Sequence, residues 1–578
     1  MLITKYFHPA GGTAAAFEKD KKKMAAATAA AAATAAAATA TAAAAAVATP
    51  FSLSLSSSSS SLSLTPGQLA AATEIMDFLK NPKRAKEHFF LLTGSAGTGK
   101  TFLISYIYSQ LKKDQLSVAF TASTNKAVNV LQATYVAAVA AAAVTKEDEE
   151  DKEKKEVEED KEDKEDKEDK EEEEDTLTFN TIHRFMCSQR AIDRNGETYF
   201  EFNAAAGKKK GGKAGGKTDV VFVDEVSMIP NVLAQQIAQM HKKTYPKIVL
   251  IGDKAQLPPV DEPQSDIFTW NISTCHLSEI VRYRNNIVML ADQVKQLICH
   301  QTRTKLAACR GNGVVLYRDN MSGWLEAYFG RPNVVVLAYT NERVRYYNDY
   351  IRKKVIVPAA TATATATATA VAHKKVMVMV PAARFAPNEI IMFNNFYQAY
   401  APQRGKDDPL SSIKYYTSYQ VRVVSCEPDT FTIDYTIILE TLQQPAADKL
   451  RRVLPNHIPI YNIVTEGGYV VKNPHDYAKV QEALELVKST FLEAKETFSL
   501  CEETVCVFWD FYYKELRDVF ADVTYGYAMT VHKSQGSTYQ CVFIDMKDII
   551  QRNPKPQESY QCLYTAITRA SQEVHVYY

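Results

Sequence analysis

No apolar run in this chain approaches the roughly 20 residues that a helix needs to cross a bilayer, so a helical membrane span is not expected. Its 9 cysteines are scattered through 578 residues, and an odd number without regular spacing shows no disulfide framework. Cys501 and Cys506 have no His or Cys partner at zinc-ligand spacing, so reduced thiols are expected. The N-terminal stretch lacks a continuous apolar segment, which argues against secretion. Its Ala/Ser-rich composition with Lys has the look of an organelle leader, but Glu18 and Asp20 weigh against that.

Net charge is missing too, with 67 basic and 67 acidic residues. That neutrality averages two unlike parts. Residues 146–175 hold 8 lysines and 21 acidic residues, which leaves 59 basic against 46 acidic residues elsewhere. A basic body suits a polyanionic partner, and the acidic block reads as a solvated surface insertion able to compete for that body. Compositional variety is absent from residues 1–62, Ala with Thr and then Ser with Leu, which read as a disordered tail. The Ala-Thr repeat at 359–370 reads as an extended surface loop.

What is present starts with Leu91-Leu92-Thr93-Gly94-Ser95-Ala96-Gly97-Thr98-Gly99-Lys100-Thr101. A buried strand leads into a Gly-x-x-x-x-Gly-Lys-Thr loop and then a helix. The glycines let successive N–H groups from Gly94 to Gly99 converge on one phosphate at the positive end of that helix. Lys100 can then reach the β- and γ-phosphates, and the Thr101 hydroxyl can ligate magnesium. Such a loop alone establishes only that a nucleotide binds.

Short apolar segments at 89–92, 117–120, 220–223 and 247–251 alternate with helical stretches. This pattern predicts a parallel sheet covered on both faces, with ligands at the carboxyl ends of its strands. Val220-Val221-Phe222-Val223 ends in Asp224 and Glu225, placed to hold magnesium and to polarise an attacking water. Gln256, in Gly252-Asp253-Lys254-Ala255-Gln256-Leu257-Pro258-Pro259-Val260, has an amide that can sense a γ-phosphate. Gln68, after Thr65-Pro66-Gly67, could bond the adenine edge.

Taken in order, the loop at 94–101, Thr121-Ala122-Ser123-Thr124-Asn125-Lys126-Ala127, Thr181-Ile182-His183, 224–228, 252–260, Thr530-Val531-His532-Lys533-Ser534-Gln535-Gly536-Ser537-Thr538 and Tyr564-Thr565-Ala566-Ile567-Thr568-Arg569-Ala570 resemble the motifs of superfamily 1 helicases. The Asp-Glu-Val-Ser-Met and Gln-Leu-Pro-Pro-Val wording is similar to the RecD/Dda branch, and the layout near 508–513 is most like the phage Dda helicase. The short span from His183 to Asp224 leaves no room for the insertion of UvrD-type enzymes. The resemblance covers 65–578 apart from the biased inserts.

The resemblance implies an ATP hydrolase that uses Mg2+ and is coupled to DNA unwinding, moving 5′→3′ on single-stranded DNA in replication, repair or recombination. It implies single strands and duplex junctions as partners, together with replication or repair proteins, and a monomer acting inside a cell, in a nucleus, an organelle or a viral replication site. By the same resemblance Arg282, in Leu277-Ser278-Glu279-Ile280-Val281-Arg282, and Arg569 reach the γ-phosphate, Arg282 being preferred over Arg284, and Gly536 borders the nucleotide. Thr124, Asn125, Lys126, Thr181 and His183 would face the strand from one lobe, and Thr340, Asn341, Thr530 and His532 from the other. A local loop hydrogen bond is the alternative for each.

The implied fold class is α/β, with two RecA-like parallel-sheet lobes and a small inserted β-barrel. The first lobe would span 63–275, with the charged insert at 146–175 and a hairpin and basic loop at 188–218. The second would span 276–372 and 515–578, and the barrel 373–514. Strands are expected at 376–380, 389–393, 419–424 and 431–439, and a helix at 476–494. Asn195-Gly196 predicts a type I′ hairpin turn, where the branch carries a duplex-splitting wedge, a plain surface hairpin being the alternative, and the Lys/Gly stretch at 207–217 a phosphate-touching loop. Phe508-Trp509-Asp510-Phe511-Tyr512-Tyr513 reads as core. A strand translocase that does not unwind, and an RNA substrate, stay open.

Overall fold

The computed structural model describes residues 64–136, 177–186, 188–202, 218–240, 247–281, 286–300, 309–368, 384–404, 408, 411–442 and 444–578. The expected tail, the acidic insert, the basic loop, the strand at 376–380, and Arg282 with Arg284 lie outside these residues.

Eight strands open the described chain: β1 (Phe89–Gly94), β2 (Val118–Ala122), β3 (Leu177–Thr181), β4 (Ser188–Ile192), β5 (Thr198–Phe202), β6 (Val220–Asp224), β7 (Lys247–Gly252) and β8 (Ser273–Leu277). Six of them form one sheet in the order β3-β2-β6-β7-β1-β8, with every neighbouring pair parallel. Side chains alternate across a strand, so Phe222 packs on the face with Ile75, Phe78, Leu103 and Ile107. Val221 and Val223 face Leu233 and Ile237 on the other side. Burial on both faces is why β6 and β7 read as unbroken apolar runs.

β4 and β5 stand apart as an antiparallel hairpin. Its turn differs from the expected type I′ geometry. Asp193 N–H donates to Glu197 O at 2.9 Å, which leaves three loop residues, and of these only Gly196 has a positive φ, 77°. The cause is Asp193, whose Oδ1 accepts the amides of Asn195 and Glu197 at 2.8 Å each. A side-chain acceptor that organises its own turn favours this three-residue loop with glycine in the left-handed position.

After β9 (Val314–Tyr317) and β10 (Val334–Ala338), the chain builds β11 (Ile390–Phe393), β12 (Tyr397–Tyr400), β13 (Ser412–Tyr415), β14 (Gln420–Thr432), β15 (His457–Thr465), β16 (Val470–Pro474) and β17 (Val523–Tyr525). These seven form a curled antiparallel sheet in the order β13-β12-β16-β15-β14-β11-β17. β17 pairs with β11, so the sheet takes in residues beyond 514. The expected strand at 431–439 is corrected: β14 ends at Thr432 and Thr436–Thr441 is helical. Asp434 turns the chain there, its Oδ1 accepting the N–H and hydroxyl of Thr436 at 3.0 and 2.6 Å. The helix expected at 476–494 is Tyr477–Thr497, capped by Asp476.

Helices Gln444–Arg451, Tyr477–Thr497 and Glu502–Phe511, followed by a π turn at Tyr512–Arg517, pack beside this sheet. Phe508, Trp509, Tyr512 and Tyr513 are buried among them with Phe491, whose ring stacks on Phe508, so the aromatic run is core as read. The Ala-Thr repeat departs from expectation, because the helix Asn341–Ala368 runs through it. Alanine, the strongest helix former, supports the helix there against the cost of the alternating threonines and of Pro358 in its interior.

β18 (Ala528–Thr530), β19 (Tyr539–Asp545) and β20 (Ala570–Tyr577) then join β9 and β10 in a second parallel sheet, ordered β18-β10-β19-β20-β9. Two RecA-like α/β lobes and an inserted antiparallel sheet result.

Candidate nucleotide cleft and nucleic-acid interface

The loop after β1 has the form its glycines allow. Gly97 and Gly99 take φ of 85° and 77°, where any Cβ would be strained. The helix Lys100–Lys113 starts at once, so loop amides sit at its positive end. Lys100 folds back, its Nζ donating to Gly94 O at 2.8 Å and Ser95 O at 3.1 Å. Thr101 stands beside it in the first helical turn. Gln68 is buried below the loop, where its Nε2 donates to Thr98 O at 3.0 Å. Its Oε1 accepts from Thr65 N–H at 3.1 Å, completing a capping box.

The carboxylates at the end of β6 face this loop. Asp224 is buried and its Oδ1 accepts Glu225 N–H at 2.8 Å. Burial, with the Glu225 charge beside it, pushes the Asp224 carboxyl up to about 7, against a lowering pull from Lys100. Glu225 takes φ 54°, a left-handed conformation uncommon for any residue but glycine.

The second lobe closes over the first through polar contacts. Asp253 Oδ2 accepts from Ala96 N–H at 2.8 Å and from the Tyr564 hydroxyl at 2.9 Å. Leu257 N–H donates to Thr565 Oγ1 at 3.2 Å, and Lys295 Nζ to Ser95 Oγ at 2.7 Å. Gln256 meets Gln535 across the cleft, Gln535 Nε2 lying 3.4 Å from Gln256 Oε1. Gln535 Oε1 and Ser227 Oγ are buried with no hydrogen-bond partner among the described residues. Buried polar atoms are ordinarily satisfied, so Gln535 Oε1, an acceptor, fits a water or a hydrated cation, and the Ser227 hydroxyl can donate to a water or a phosphate oxygen. The left-handed glycines, Lys100, the Thr101 hydroxyl and the carboxylate of Asp224, near enough to Lys100 to feel its charge, are also the donor and oxygen-ligand types that a nucleotide with magnesium requires.

Arg569 is placed differently from the expectation. It is buried in its own lobe, Nε donating to Thr565 O at 3.1 Å and Nη1 to Ser537 O at 3.3 Å. Lys126, by contrast, reaches across to the other lobe. Its Nζ donates to Lys533 O at 3.2 Å, and burial, with Arg569 near, lowers its pKa to about 7. Gly536, with φ 75°, passes close to Ala127.

The remaining candidates share one local cause. Thr124 Oγ1 accepts Ala127 N–H at 3.2 Å, Thr181 accepts Arg184 N–H at 3.3 Å, Thr340 accepts Arg343 N–H at 3.3 Å and Thr530 accepts Lys533 N–H at 3.4 Å. All four threonines therefore cap helices that follow strands β2, β3, β10 and β18. Thr340 is also held by Asp548, its Oγ1 donating to Oδ1 at 3.0 Å. Asn125 and Asn341 open the helices that Thr124 and Thr340 cap, Asn341 being exposed. His183 and His532 are second residues of their helices, and burial holds both below the ordinary imidazole range. The array presents helix N-termini at strand ends, geometry suited to a phosphate backbone.

Asp253, Tyr564, Thr565, Lys295 and Lys533 were not singled out from sequence. Four of them lie inside the quoted motifs, but their pairings cross the cleft, and Lys295 carries no motif signal.

The hairpin turn is not free-standing. Tyr513 Oη donates to Gly196 O at 2.6 Å, Lys495 Nζ to Arg194 O at 2.7 Å, Lys488 pairs with Glu197 at 2.7 Å, and Arg194 pairs with Glu502. A Cβ on Gly196 would overlap the Trp509 ring.

Residues 63–319 match the AAA domain family and residues 525–577 the UvrD-like helicase C-terminal domain family. Together the two matches support a superfamily 1 helicase. An uncharacterised protein of Acanthamoeba polyphaga mimivirus is 25% identical over 88% of this chain and 98% of its own length. An uncharacterised protein of Methanocaldococcus jannaschii is 22% identical over 69% of the chain and 32% of its own. Among solved structures, the Pif1 helicase of Candida albicans is 16% identical, covers 89% of this chain and 94% of its own, and superposes with a TM-score of 0.39. The Bacteroides Pif1 helicase in complex with ADP-AlF3 and ssDNA is 12% identical, with coverages of 89% and 92% and a TM-score of 0.42.

Proposed function

We propose that the chain is an ATP-dependent DNA helicase that translocates 5′→3′ on single-stranded DNA, serving replication, repair or recombination. The observation that carries this reading is the cleft itself. A phosphate loop, a carboxylate pair and the Gln256–Gln535 contact meet between two lobes whose capped helix ends form a second, strand-facing surface. Lys100 would move from the Gly94 carbonyl to the β- and γ-phosphates. Glu225 would orient the attacking water. Magnesium, held by Thr101 and Asp224, supplies charge neutralisation at the phosphates when bound. Arg282 would supply a guanidinium group to the γ-phosphate, and Arg569 would do so on leaving the Thr565 and Ser537 carbonyls that now hold it, a contribution on the order of 10³–10⁵ in rate in related phosphoryl-transfer sites.

Repeated closure and opening with unequal grip would ratchet the strand. The hairpin, braced by Trp509 and Tyr513, supports unwinding over translocation alone, because a wedge must resist the duplex. Polarity follows the RecD/Dda resemblance. Strand displacement on 5′-tailed and 3′-tailed duplexes tests the reading: unwinding from the 5′ tail is expected, and unwinding only from the 3′ tail overturns the polarity. Comparing hydrolysis stimulated by single-stranded DNA and by RNA at matched salt separates the two substrates.

A further inference from the structure

Single-stranded nucleic acid is gripped by phosphate contacts along a groove together with aromatic faces on which bases stack. The capped threonines, Asn125, Asn341 and the two histidines supply polar contacts, but none offers an exposed aromatic ring of Phe, Tyr or Trp type. The inserted sheet does. Phe396, in the tight connection between β11 and β12, is 51% exposed. Its ring lies 5.6 Å from that of Tyr416, in the neighbouring connection between β13 and β14. An exposed phenylalanine on an ordered turn gains little for the fold, since its apolar face stays in water.

The turn is held rigidly, and one of its bonds reaches the His532–Lys533 helix. Asn394 N–H donates to Asp522 O at 2.9 Å and its Nδ2 to Asp522 Oδ1 at 3.0 Å. Asn394 Oδ1 accepts Lys533 Nζ at 2.8 Å. Lys533 follows His532 in the helix that Thr530 caps, so one hydrogen bond joins the aromatic turn to the candidate backbone grip. Ser418 N–H donates to Phe393 O at 2.7 Å, which fixes the two turns to each other. Preorganisation of this kind lowers the ordering cost of binding.

We infer that Phe396, backed by Tyr416, is a base-stacking platform for the single strand, an aromatic subsite contributed by the inserted sheet beside the His532–Lys533 turn. The inference rests on the strand-binding reading above. Its ligand is an unstacked nucleobase of any sequence, because every base offers a π face.

Binding of a fluorescently labelled oligothymidylate by the full chain, followed by anisotropy across a salt series, tests it. Phe396→Ala should weaken binding about tenfold or more while leaving the slope of affinity against salt unchanged, because no phosphate contact is removed. Phe396→Leu, which keeps apolar bulk without a π face, should behave like the alanine variant, and Phe396→Trp should restore affinity. Wild-type affinity in Phe396→Ala, or rescue by leucine, overturns the platform. Failure of the wild-type chain to bind the strand at all overturns instead the functional reading on which it rests.

Discussion

Glu225 and Asp224 stand side by side in opposite circumstances, one held in a left-handed backbone conformation and the other driven toward its neutral form. Strain at φ 54° costs on the order of 1–3 kcal/mol, and it aims a carboxylate out of line with β6. Glu225→Gln keeps the shape but not the charge, so hydrolysis should fall on the order of 10²–10⁴-fold, with a far-ultraviolet spectrum like that of the wild type. Phosphate release measured with and without single-stranded DNA checks this, and substantial stimulated turnover contradicts the role. At Asp224 the carboxyl retains its proton up to about 7, while a metal ligand must be deprotonated. The proton therefore competes below that pH. The Mg2+ concentration for half-maximal hydrolysis should rise about tenfold per unit below pH 7 and level off above it. A flat profile from pH 6 to 8 would count against Asp224 as a ligand.

The same device recurs at the level of elements: a strand ends, a threonine caps, and a short helix begins. Removing such a cap typically costs about 1 kcal/mol, so Thr530→Ala should lower stability by that amount and Thr530→Ser should restore it, as read by urea unfolding. Each cap was legible as a Thr near a strand end. Whether its hydroxyl bonds its own helix or a nucleic-acid strand was left open by the sequence, because both bonds use the same atom, and the structure shows the local one. The hairpin shows the reverse. Its Asn-Gly turn was visible in sequence, but the Asp193 side chain chose a different loop, and docking against Trp509 fixed its direction. Gly196→Ala would place a Cβ inside that ring and strain a positive φ. Amide exchange at 193–197 should accelerate, and unwinding should fall while DNA-stimulated hydrolysis persists. Loss of both together would assign the hairpin a structural role only.

At the scale of the whole molecule, the described contacts between the lobes combine polar pairs with apolar packing, Ala255 and Leu257 lying in the same buried cluster as Leu563 and Ile567. The Tyr564 hydroxyl reaches Asp253 and accepts from Ala96 N–H at 3.2 Å, so it reports on the phosphate loop from the other lobe. Tyr564→Phe removes that hydroxyl with little change of volume. A buried hydrogen bond is worth about 1 kcal/mol, enough to shift the equilibrium toward an open form roughly fivefold. Interlobe distances from paired fluorophores should lengthen without nucleotide and return to the closed value when ATP is added. No change without nucleotide would mean the remaining contacts suffice.

The sequence by itself determined everything that depends on neighbours along the chain. Eight consecutive residues make the phosphate loop, period-two and unbroken apolar runs make the strands, and threonines mark where helices begin. Motif order then pointed to two lobes. Only the tertiary structure decided which motifs touch. Gln256 meets Gln535 across a separation of 279 residues, and Ala96 meets Tyr564 across 468. Such pairings are set by strand order and crossover in two sheets, and the burial that drives those sheets together is non-directional. Apolar patterning shows that a face is covered; the order of packing determines what covers it.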